Sequence, residues 1–137
     1  MKKYDIAFIC VHNSCRSQMA EAIAKLDHHD FFNATSGGTH TKDNINPMAV
    51  ETIKDLYNYN MSLTQAPTLI DNTKEVDIVI TMGCNVECPY LPTKHREDWG
   101  LDDPSGGPKK DYIQTAKIIQ EKMLNLRKRI ENGDVKF

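Results

Sequence analysis

The residues of this chain with the clearest capacity for chemistry are Cys10 and Arg16, which are separated by five residues. Such a short loop can wrap its backbone N–H groups around one tetrahedral anion, and a helix that follows it directs its positive end to the same place. The arginine supplies a planar fork for two anion oxygens. The loop consists of Val11, His12, Asn13, Ser14 and Cys15.

The same positive surroundings favour the thiolate form of Cys10, which is the form that attacks an electrophile. Cysteines in such loops commonly have pKa values between about 3.5 and 7.5, whereas a free thiol has a pKa of about 8.5. Ser17 directly follows Arg16 and can donate a hydrogen bond to the sulfur. The pattern predicts a nucleophile in an oxyanion site. The alternative is a small buried cysteine at a strand end beside an exposed arginine.

The segments on either side of this loop are predicted to be a strand and a helix. Residues 4–9 are mostly apolar, as in a strand that is buried on both faces of a parallel sheet. In the segment 18–26, apolar residues recur at the spacing of one helix face, namely Met19, Ala22, Ile23 and Leu26. A strand, a loop and a helix in immediate succession are the setting that an oxyanion loop requires.

The rest of the chain continues this alternation. Further strands are predicted over 31–35, 76–81 and 97–101, and helices are predicted from Asn46-Pro47 onward and over about 112–131. Between them we expect a tight turn at Ser36-Gly37-Gly38 and a loop over 85–96. The prediction is therefore an α/β fold, in which residues 1–137 form a single-domain open parallel four-stranded sheet with helices on both faces.

Each predicted strand is followed by a residue with a chemically active side chain, in chain order Cys10, Ser36, Cys84 and Asp103. In open parallel sheets, ligands bind at the carboxyl ends of the strands, so we expect these residues at one crevice. Asp103 is the candidate acid that protonates a leaving oxygen, with Asp102 as the alternative donor. A turn without a catalytic role is a further interpretation of this Asp-Pro segment.

Composition narrows the class of partner. The net charge is −2, and the basic run Arg127-Lys128-Arg129 is expected to be a solvated helix face, so nucleic acid is not predicted as a partner. No run approaches the roughly 20 apolar residues of a membrane span, and no secretory signal is recognised. We therefore expect a cytoplasmic protein. Four cysteines in that compartment indicate redox, nucleophilic or metal chemistry rather than structural disulfides.

The motif Cys10-x5-Arg16-Ser17, followed by Gln18-Met19-Ala20-Glu21, resembles the active-site loop of the low-molecular-weight protein tyrosine phosphatase superfamily. Gln18 narrows the resemblance, because the phosphatases usually have proline there and the thioredoxin-coupled arsenate reductases have glutamine. The resemblance spans nearly the whole chain. It reappears at Ser36-Gly37-Gly38, Asn46-Pro47, Thr81-Met82-Gly83-Cys84, Cys88-Pro89 and Trp99-Gly100-Leu101-Asp102-Asp103-Pro104.

The resemblance implies that the chain reduces arsenate to arsenite for arsenic detoxification. It implies that Cys10 attacks arsenic and that the acid is Asp103, the aspartate directly before Pro104. It also assigns Cys84 as the second thiol, and Cys88 as the third, which presents the disulfide to thioredoxin or another thiol donor. Because these two cysteines are only four positions apart, closer than in the best-known members, their conformational change does not transfer unaltered.

A phosphatase is the alternative within the same superfamily, since it needs only Cys10, Arg16 and Asp103. Phosphatases tend to have tyrosines after the Asp-Pro pair, where this chain has Ser105 and Gly106. The fold also serves as a phosphocysteine carrier, which has less need of the arginine. The reductase is the favoured function, and we expect the chain to act as a monomer.

No metal or cofactor is predicted to be required. Asn13, Glu21 and Ser36 match a potassium-site set of part of the family, but Thr68 stands where its acidic ligand would fall. A zinc site made of Cys84, Cys88 and His95 would have too few ligands. We interpret Cys15 as a packing residue rather than an auxiliary thiol, and His28 and His29 as solvated residues at a helix end.

Overall fold

The computed structural model describes residues 3–71, 74–83 and 92–137. Its strands are β1 (Tyr4–Cys10), β2 (Phe32–Gly38), β3 (Val76–Thr81) and β4 (Thr93–Asp98). Its α-helices are α1 (Arg16–Asp27), α2 (Pro47–Tyr57) and α3 (Lys109–Glu131), and a short 3-10 helix covers Met61–Leu63.

The four strands form one parallel sheet in the order β2-β1-β3-β4, which confirms the predicted α/β class. The register pairs Cys10 with Gly38, Ile9 with Thr81 and Thr81 with Asp98. The carboxyl ends of all four strands therefore meet along one edge of the sheet. The segments that leave the four strands therefore begin next to one another.

The main core lies between one face of the sheet and the three helices. Ile6 and Phe8 of β1 share one buried cluster with side chains of α1, α2 and α3. The predicted apolar face of α3 is buried throughout, with Tyr112, Ala116, Ile119, Met123, Leu126 and Ile130. Full burial of each large aliphatic side chain stabilises the fold by about 1.5–3 kcal/mol. On the opposite face of the sheet, Ala7, Ile9 and Val79 pack with Ile70 and Val76. In the described parts of the chain, the helices therefore cover one face of the sheet rather than both faces as predicted.

Helix α2 begins where the sequence predicted it. Asn46 caps the helix, since its side chain accepts a hydrogen bond from the Met48 N–H (2.9 Å), and proline occupies the first turn. Ala49 and Ile53 are fully buried, whereas Leu56, which the spacing of the apolar residues predicts on the same inner face, has an exposed fraction of 38%, so that part of the pattern is wrong. Thr52 is fully buried, and its hydroxyl donates to the Met48 carbonyl, so a polar residue completes the buried face.

Strand β4 occupies 93–98 rather than the predicted 97–101. Its residues are polar and alternate between half-buried and exposed positions, so no apolar run marks them as a strand. Backbone pairing with β3 defines the strand instead. Gly37 and Gly38 likewise belong to β2, so the tight turn predicted at Ser36-Gly37-Gly38 is also wrong.

The basic run near the end of α3 is not simply solvated. Arg127 donates two hydrogen bonds to Asp30 (2.9 and 2.7 Å), and its guanidinium carbon lies 4.7 Å from the centre of the Phe31 ring. His28, which was predicted to be solvated, is buried beside Arg127 (Nη1 to Nδ1, 3.2 Å). Burial, followed by the charge of Arg127, lowers the pKa of His28. His29 is exposed, as predicted.

Glu97 joins β4 to the C-terminal part of α3. Its carboxylate accepts hydrogen bonds from both terminal nitrogens of Arg129 (2.6 and 3.0 Å) and from the Trp99 indole (3.0 Å), and it pairs with the His95 ring (2.8 Å). Burial raises the pKa of Glu97, but these hydrogen bonds outweigh it and hold the pKa at about 2.

Glu97→Gln should lower the free energy of unfolding at pH 7 by about 2 kcal/mol, because charge-assisted hydrogen bonds become neutral ones. The folded-state pKa lies below the ordinary 4.5, so this stabilisation is complete above that pH and is lost as the pH falls toward about 2. Urea denaturation of both proteins between pH 7 and pH 3 measures the difference.

Glu51→Gln is the matched control, because Glu51 pairs with Lys109 at an exposed site. It should change the unfolding free energy by less than about 1 kcal/mol. A Glu97→Gln difference that stays constant with falling pH would contradict the proposed role of the charge.

Candidate active site at the carboxyl edge of the sheet

The loop between Cys10 and Arg16 is held by backbone hydrogen bonds from the segment that follows β2. The carbonyl of Val11 accepts from the N–H of His40 (2.9 Å), and the carbonyl of Ser14 accepts from the N–H of Asn46 (2.7 Å). Both carbonyls therefore point away from the interior of the loop.

The opposite side of the loop carries amides. None of the described peptide bonds is cis, and in a trans peptide the N–H points opposite to the preceding carbonyl, so the N–H groups of His12 and Cys15 face inward. They face a cleft of about 180 Å³. The described residues that line the cleft are Cys10, Val11, His12, Ser14, Cys15, Arg16, Lys42, Asp103 and Ser105. Helix α1 starts here with no acidic residue in its first turn, so its positive end is not neutralised locally.

Asn13 determines the shape of the loop. It adopts a left-handed conformation (φ 51°), which asparagine tolerates better than most residues, and it is fully buried. Its side-chain oxygen accepts from the Thr68 N–H and from the Gln18 amide (both 2.9 Å). Its amide nitrogen donates to the Ser17 hydroxyl oxygen (2.8 Å).

That last contact orients the hydroxyl of Ser17. Because Ser17 Oγ accepts from Asn13, its own hydrogen is available for Cys10 Sγ, which lies 2.9 Å away. A hydrogen bond donated to sulfur stabilises the thiolate over the thiol. The predicted contact between Cys10 and Ser17 is therefore present in the structure.

Arg16 is buried, and backbone carbonyls orient its guanidinium. Nη1 donates to the carbonyl of Met82 (2.8 Å), after β3, and to that of Leu101 (2.7 Å), after β4. Nη2 lies 3.9 Å from Asp103 Oδ2. The guanidinium thus spans the end of the sheet and lies between the loop and Asp103.

Asp103 lies at the open side of the cleft, with 52% of its side chain exposed. Its Oδ1 accepts from the Ser105 N–H (3.0 Å). Partial burial raises the pKa of Asp103, but hydrogen bonds from Ser105 and the charges of Arg16 and Lys42 outweigh it, so the pKa lies below its ordinary value. Asp102 is exposed and does not line the cleft.

Cys15 also lines the cleft, but its surroundings disfavour the thiolate. Burial, followed by the charge of Asp103, raises its pKa to about 12, so it is a neutral thiol at physiological pH. It belongs to the main core cluster. The interpretation of Cys15 as a packing residue agrees with this environment.

The structure brings only some of the predicted residues together. Cys10 and Asp103 line the same cleft, whereas Ser36 does not, because side chains alternate along β2 and its hydroxyl donates to Glu21 (2.6 Å). The other Glu21 oxygen pairs with Lys25. Gly38 is the β2 residue that approaches the loop, since a Cβ there would lie 2.5 Å from the Val11 carbonyl oxygen.

The sequence did not single out Lys42 or Ser105 as residues of the cleft. Lys42 lies in the segment whose backbone binds the loop at His40 and Asn46, and this anchoring brings it to the rim. The Gly38 and Asn46-Pro47 motifs, which lie on either side of this segment, were the sequence features that could have placed it beside the loop. No signal existed for the carbonyls that bind Arg16, because every residue has one.

Cys84 and Cys88 lie outside the described residues, and so does the zinc alternative that would need them. Within the described parts of the chain, no group of three or more His, Cys, Asp or Glu side chains is arranged to hold a metal ion. The described helices include none that is both long enough and apolar enough to cross a membrane.

Comparison with known proteins identifies the family. A family model described as low molecular weight phosphotyrosine protein phosphatase matches residues 5–135. This chain belongs to that family. An arsenate reductase of Staphylococcus aureus (strain Newman) is 39% identical over 134 residues, which cover 94% of this chain and 100% of that protein. Within the low molecular weight phosphatase family, the chain therefore groups with the arsenate reductases.

Solved structures of the family agree with this grouping. An arsenate reductase in the phosphate binding state has a TM-score of 0.79 and 31% identity, covering 90% of this chain and 95% of that one. The thioredoxin-dependent arsenate reductase of Corynebacterium glutamicum has a TM-score of 0.76 and 27% identity, covering 96% of this chain and 63% of that one.

Ser17→Ala should shift the pH midpoint of Cys10 alkylation by iodoacetamide upward by about one unit, because a hydrogen bond to the thiolate is lost. The rate of alkylation against pH, followed by mass spectrometry of the peptide that contains Cys10, measures the midpoint. Thr115→Val is the matched control, since it removes a buried hydroxyl that donates within α3. An unchanged midpoint in Ser17→Ala would show that the hydroxyl does not stabilise the thiolate.

Proposed function

We propose that this protein reduces arsenate to arsenite, with the Cys10 thiolate as the nucleophile. The observation that carries the proposal is the small cleft in which Cys10, Arg16 and Asp103 surround inward-facing amides. Its volume of about 180 Å³ suits one tetrahedral oxyanion. No described lining residue is Phe, Tyr or Trp, whereas a phosphotyrosine ring is best bound by apolar and aromatic walls. The names of the similar proteins support the same substrate.

The first step joins sulfur to arsenic. The Cys10 thiolate attacks arsenic(V), a sulfur–arsenic bond forms, and one arsenic–oxygen bond breaks. The leaving hydroxyl group of arsenate takes a proton from Asp103 and departs as water. Arg16 and the loop amides of His12 and Cys15 stabilise the negative charge of the remaining oxygens.

The second step transfers two electrons to arsenic. Cys84, as a thiolate, attacks the sulfur of Cys10, so a disulfide forms and the sulfur–arsenic bond breaks. The electron pair of that bond remains on arsenic, which becomes arsenic(III) and leaves as arsenite. Two thiols have then been oxidised to one disulfide, which balances the reduction.

The third step regenerates the Cys10 thiolate. Cys88 attacks Cys84, which releases the Cys10 thiolate and leaves a disulfide between Cys84 and Cys88. A dithiol donor such as thioredoxin reduces this disulfide, and the thioredoxin-dependent relative from C. glutamicum supports that choice of donor. Such a cycle fits a reducing cytoplasm and arsenic detoxification, and it needs a single copy of the chain.

Hydrolysis of phosphomonoesters is the second candidate function, favoured by the family model itself. It would use Cys10, Arg16 and Asp103, and water would release phosphate from a phosphocysteine. Two parallel assays separate the functions: arsenate-dependent oxidation of NADPH with thioredoxin and its reductase, and hydrolysis of an aryl phosphate. The proposal expects turnover in the first assay that far exceeds turnover in the second.

Asp103→Asn should slow the first chemical step by roughly 10²–10⁴-fold, because an amide cannot protonate the leaving oxygen. Single-turnover formation of arsenite from arsenate measures this step. Binding of phosphate, followed by its protection of Cys10 from alkylation, should remain largely intact. Asp102→Asn is the matched control, since Asp102 is exposed and outside the cleft. Equal and mild effects of the two substitutions would assign Asp103 to turn structure alone.

The relay predicts specific disulfides. After treatment with arsenate, Cys88→Ser should accumulate a disulfide between Cys10 and Cys84, and Cys84→Ser should not complete thioredoxin-dependent turnover. Peptide mapping by mass spectrometry under non-reducing conditions identifies the pairs. Phosphate replaces arsenate in the control, because it has the same shape but accepts no electrons from thiols. Full multiple turnover by the Cys84→Ser, Cys88→Ser double variant would contradict the relay.

A further inference from the structure

Asp98, the last residue of β4, binds the chain that leaves the neighbouring strand. Its Oδ1 accepts a hydrogen bond from the N–H of Gly83 (2.8 Å) and another from the hydroxyl of Thr81 (2.9 Å). Thr81 is the register partner of Asp98. One carboxylate oxygen therefore joins the carboxyl ends of β3 and β4. We call this pair of hydrogen bonds the Asp98 clasp.

The clasp encloses the backbone that orients Arg16. Met82 lies between Thr81 and Gly83, and its carbonyl accepts from Arg16 Nη1. A peptide whose neighbours on both sides are bound to one carboxylate has little freedom to rotate its carbonyl. The clasp therefore fixes the direction of one carbonyl that accepts a hydrogen bond from the guanidinium.

The clasp also affects the distance between the Met82 carbonyl and the Leu101 carbonyl. Gly83 has φ +85° and packs directly on the loop after β4, since a Cβ on Gly83 would lie 2.6 Å from the Leu101 N. The carbonyl of Leu101 is the other acceptor of Arg16 Nη1. Both carbonyls are thus held at positions that the contact between Gly83 and this loop determines.

We propose that Asp98 is a positioning residue for oxyanion binding, which acts on Arg16 through the backbone of Met82 and Gly83. The proposal rests on the role of Arg16 in the proposed function. Bidentate recognition depends on the orientation of the guanidinium plane, so a small rotation of its carbonyl acceptors weakens the bond to the anion. Asp98 does not line the cleft.

The chain contains a matched control for this arrangement. Asp77 lies near the start of β3, and its Oδ2 accepts from the N–H of Asp5 (2.9 Å) on the adjacent strand. It is a carboxylate that binds neighbouring backbone in the same sheet, at the end remote from Arg16. Its other oxygen pairs with Lys94 (3.5 Å), so removing this carboxylate also costs two polar contacts, but at a place that does not involve Met82 or Gly83.

The test measures the concentration of inorganic phosphate that half-protects Cys10 from alkylation in the full-length reduced protein. Asp98→Ala should raise this concentration about tenfold, the equivalent of about 1.4 kcal/mol. Asp98→Asn should stay within about threefold of the parent, because its amide oxygen accepts the same two hydrogen bonds. Asp77→Ala should match the parent. If Asp98→Ala does not fold, Thr81→Val replaces it, and the loss of one donor should raise the concentration about threefold.

Two results would overturn the inference. The first is phosphate protection in Asp98→Ala, or in its replacement Thr81→Val, that equals the parent. The second is an equal loss in Asp77→Ala, which would indicate general loosening of the sheet. The Arg16→Lys variant distinguishes a failure of the inference about Asp98 from a failure of the proposed function. If Arg16→Lys retains phosphate protection, the role of Arg16 itself is wrong; if it loses protection while Asp98→Ala does not, only the clasp is wrong.

Discussion

The arrangement on which the rest of the site depends is the pair of hydrogen bonds from Arg16 Nη1 to the carbonyls of Met82 and Leu101. A buried guanidinium must have partners, because desolvating an unpaired charge is far more costly than forming a typical hydrogen bond. These two acceptors come from the segments that follow two different strands, β3 and β4. The orientation of the fork is therefore a property of the assembled sheet, and the anion site exists only when β3 and β4 are paired.

The loop around the anion is equally dependent on its surroundings. Amides that converge on an anion cannot also pair with each other, so the loop has no internal ladder to stabilise it. Its outward carbonyls are bound instead by His40 and Asn46, and its left-handed residue, Asn13, is held by Gln18 and Thr68. Gly38 permits this close approach, because any side chain there would collide with the Val11 carbonyl. The strength of the site thus comes from neighbouring segments.

Because the site depends on backbone contacts from neighbouring segments, the sequence could predict only part of it. Strand β1 and helices α1 and α3 have strong apolar patterns, and their positions were predicted closely. Strand β4 was misplaced because its residues are polar and its pairing with β3 is made by the backbone. The prediction that Ser36 lies in the crevice fails because β2 continues to Gly38, three residues past the predicted end, and the side chain of Ser36 points toward Glu21. Hydrogen bonds to backbone carbonyls cannot be predicted from residue type, because every residue has a carbonyl.

The charges of the cleft link binding to proton transfer. Without an anion, Asp103 lies 3.9 Å from the guanidinium, and this charge helps to keep its pKa low, so the acid is ionised. An entering oxyanion competes for the same guanidinium and adds negative charge beside the carboxylate. Both changes raise the pKa of Asp103, since a like charge disfavours the ionised form. The proposed role of Asp103 as proton donor therefore depends on a bound anion, while Cys15, with its pKa of about 12, stays protonated beside it.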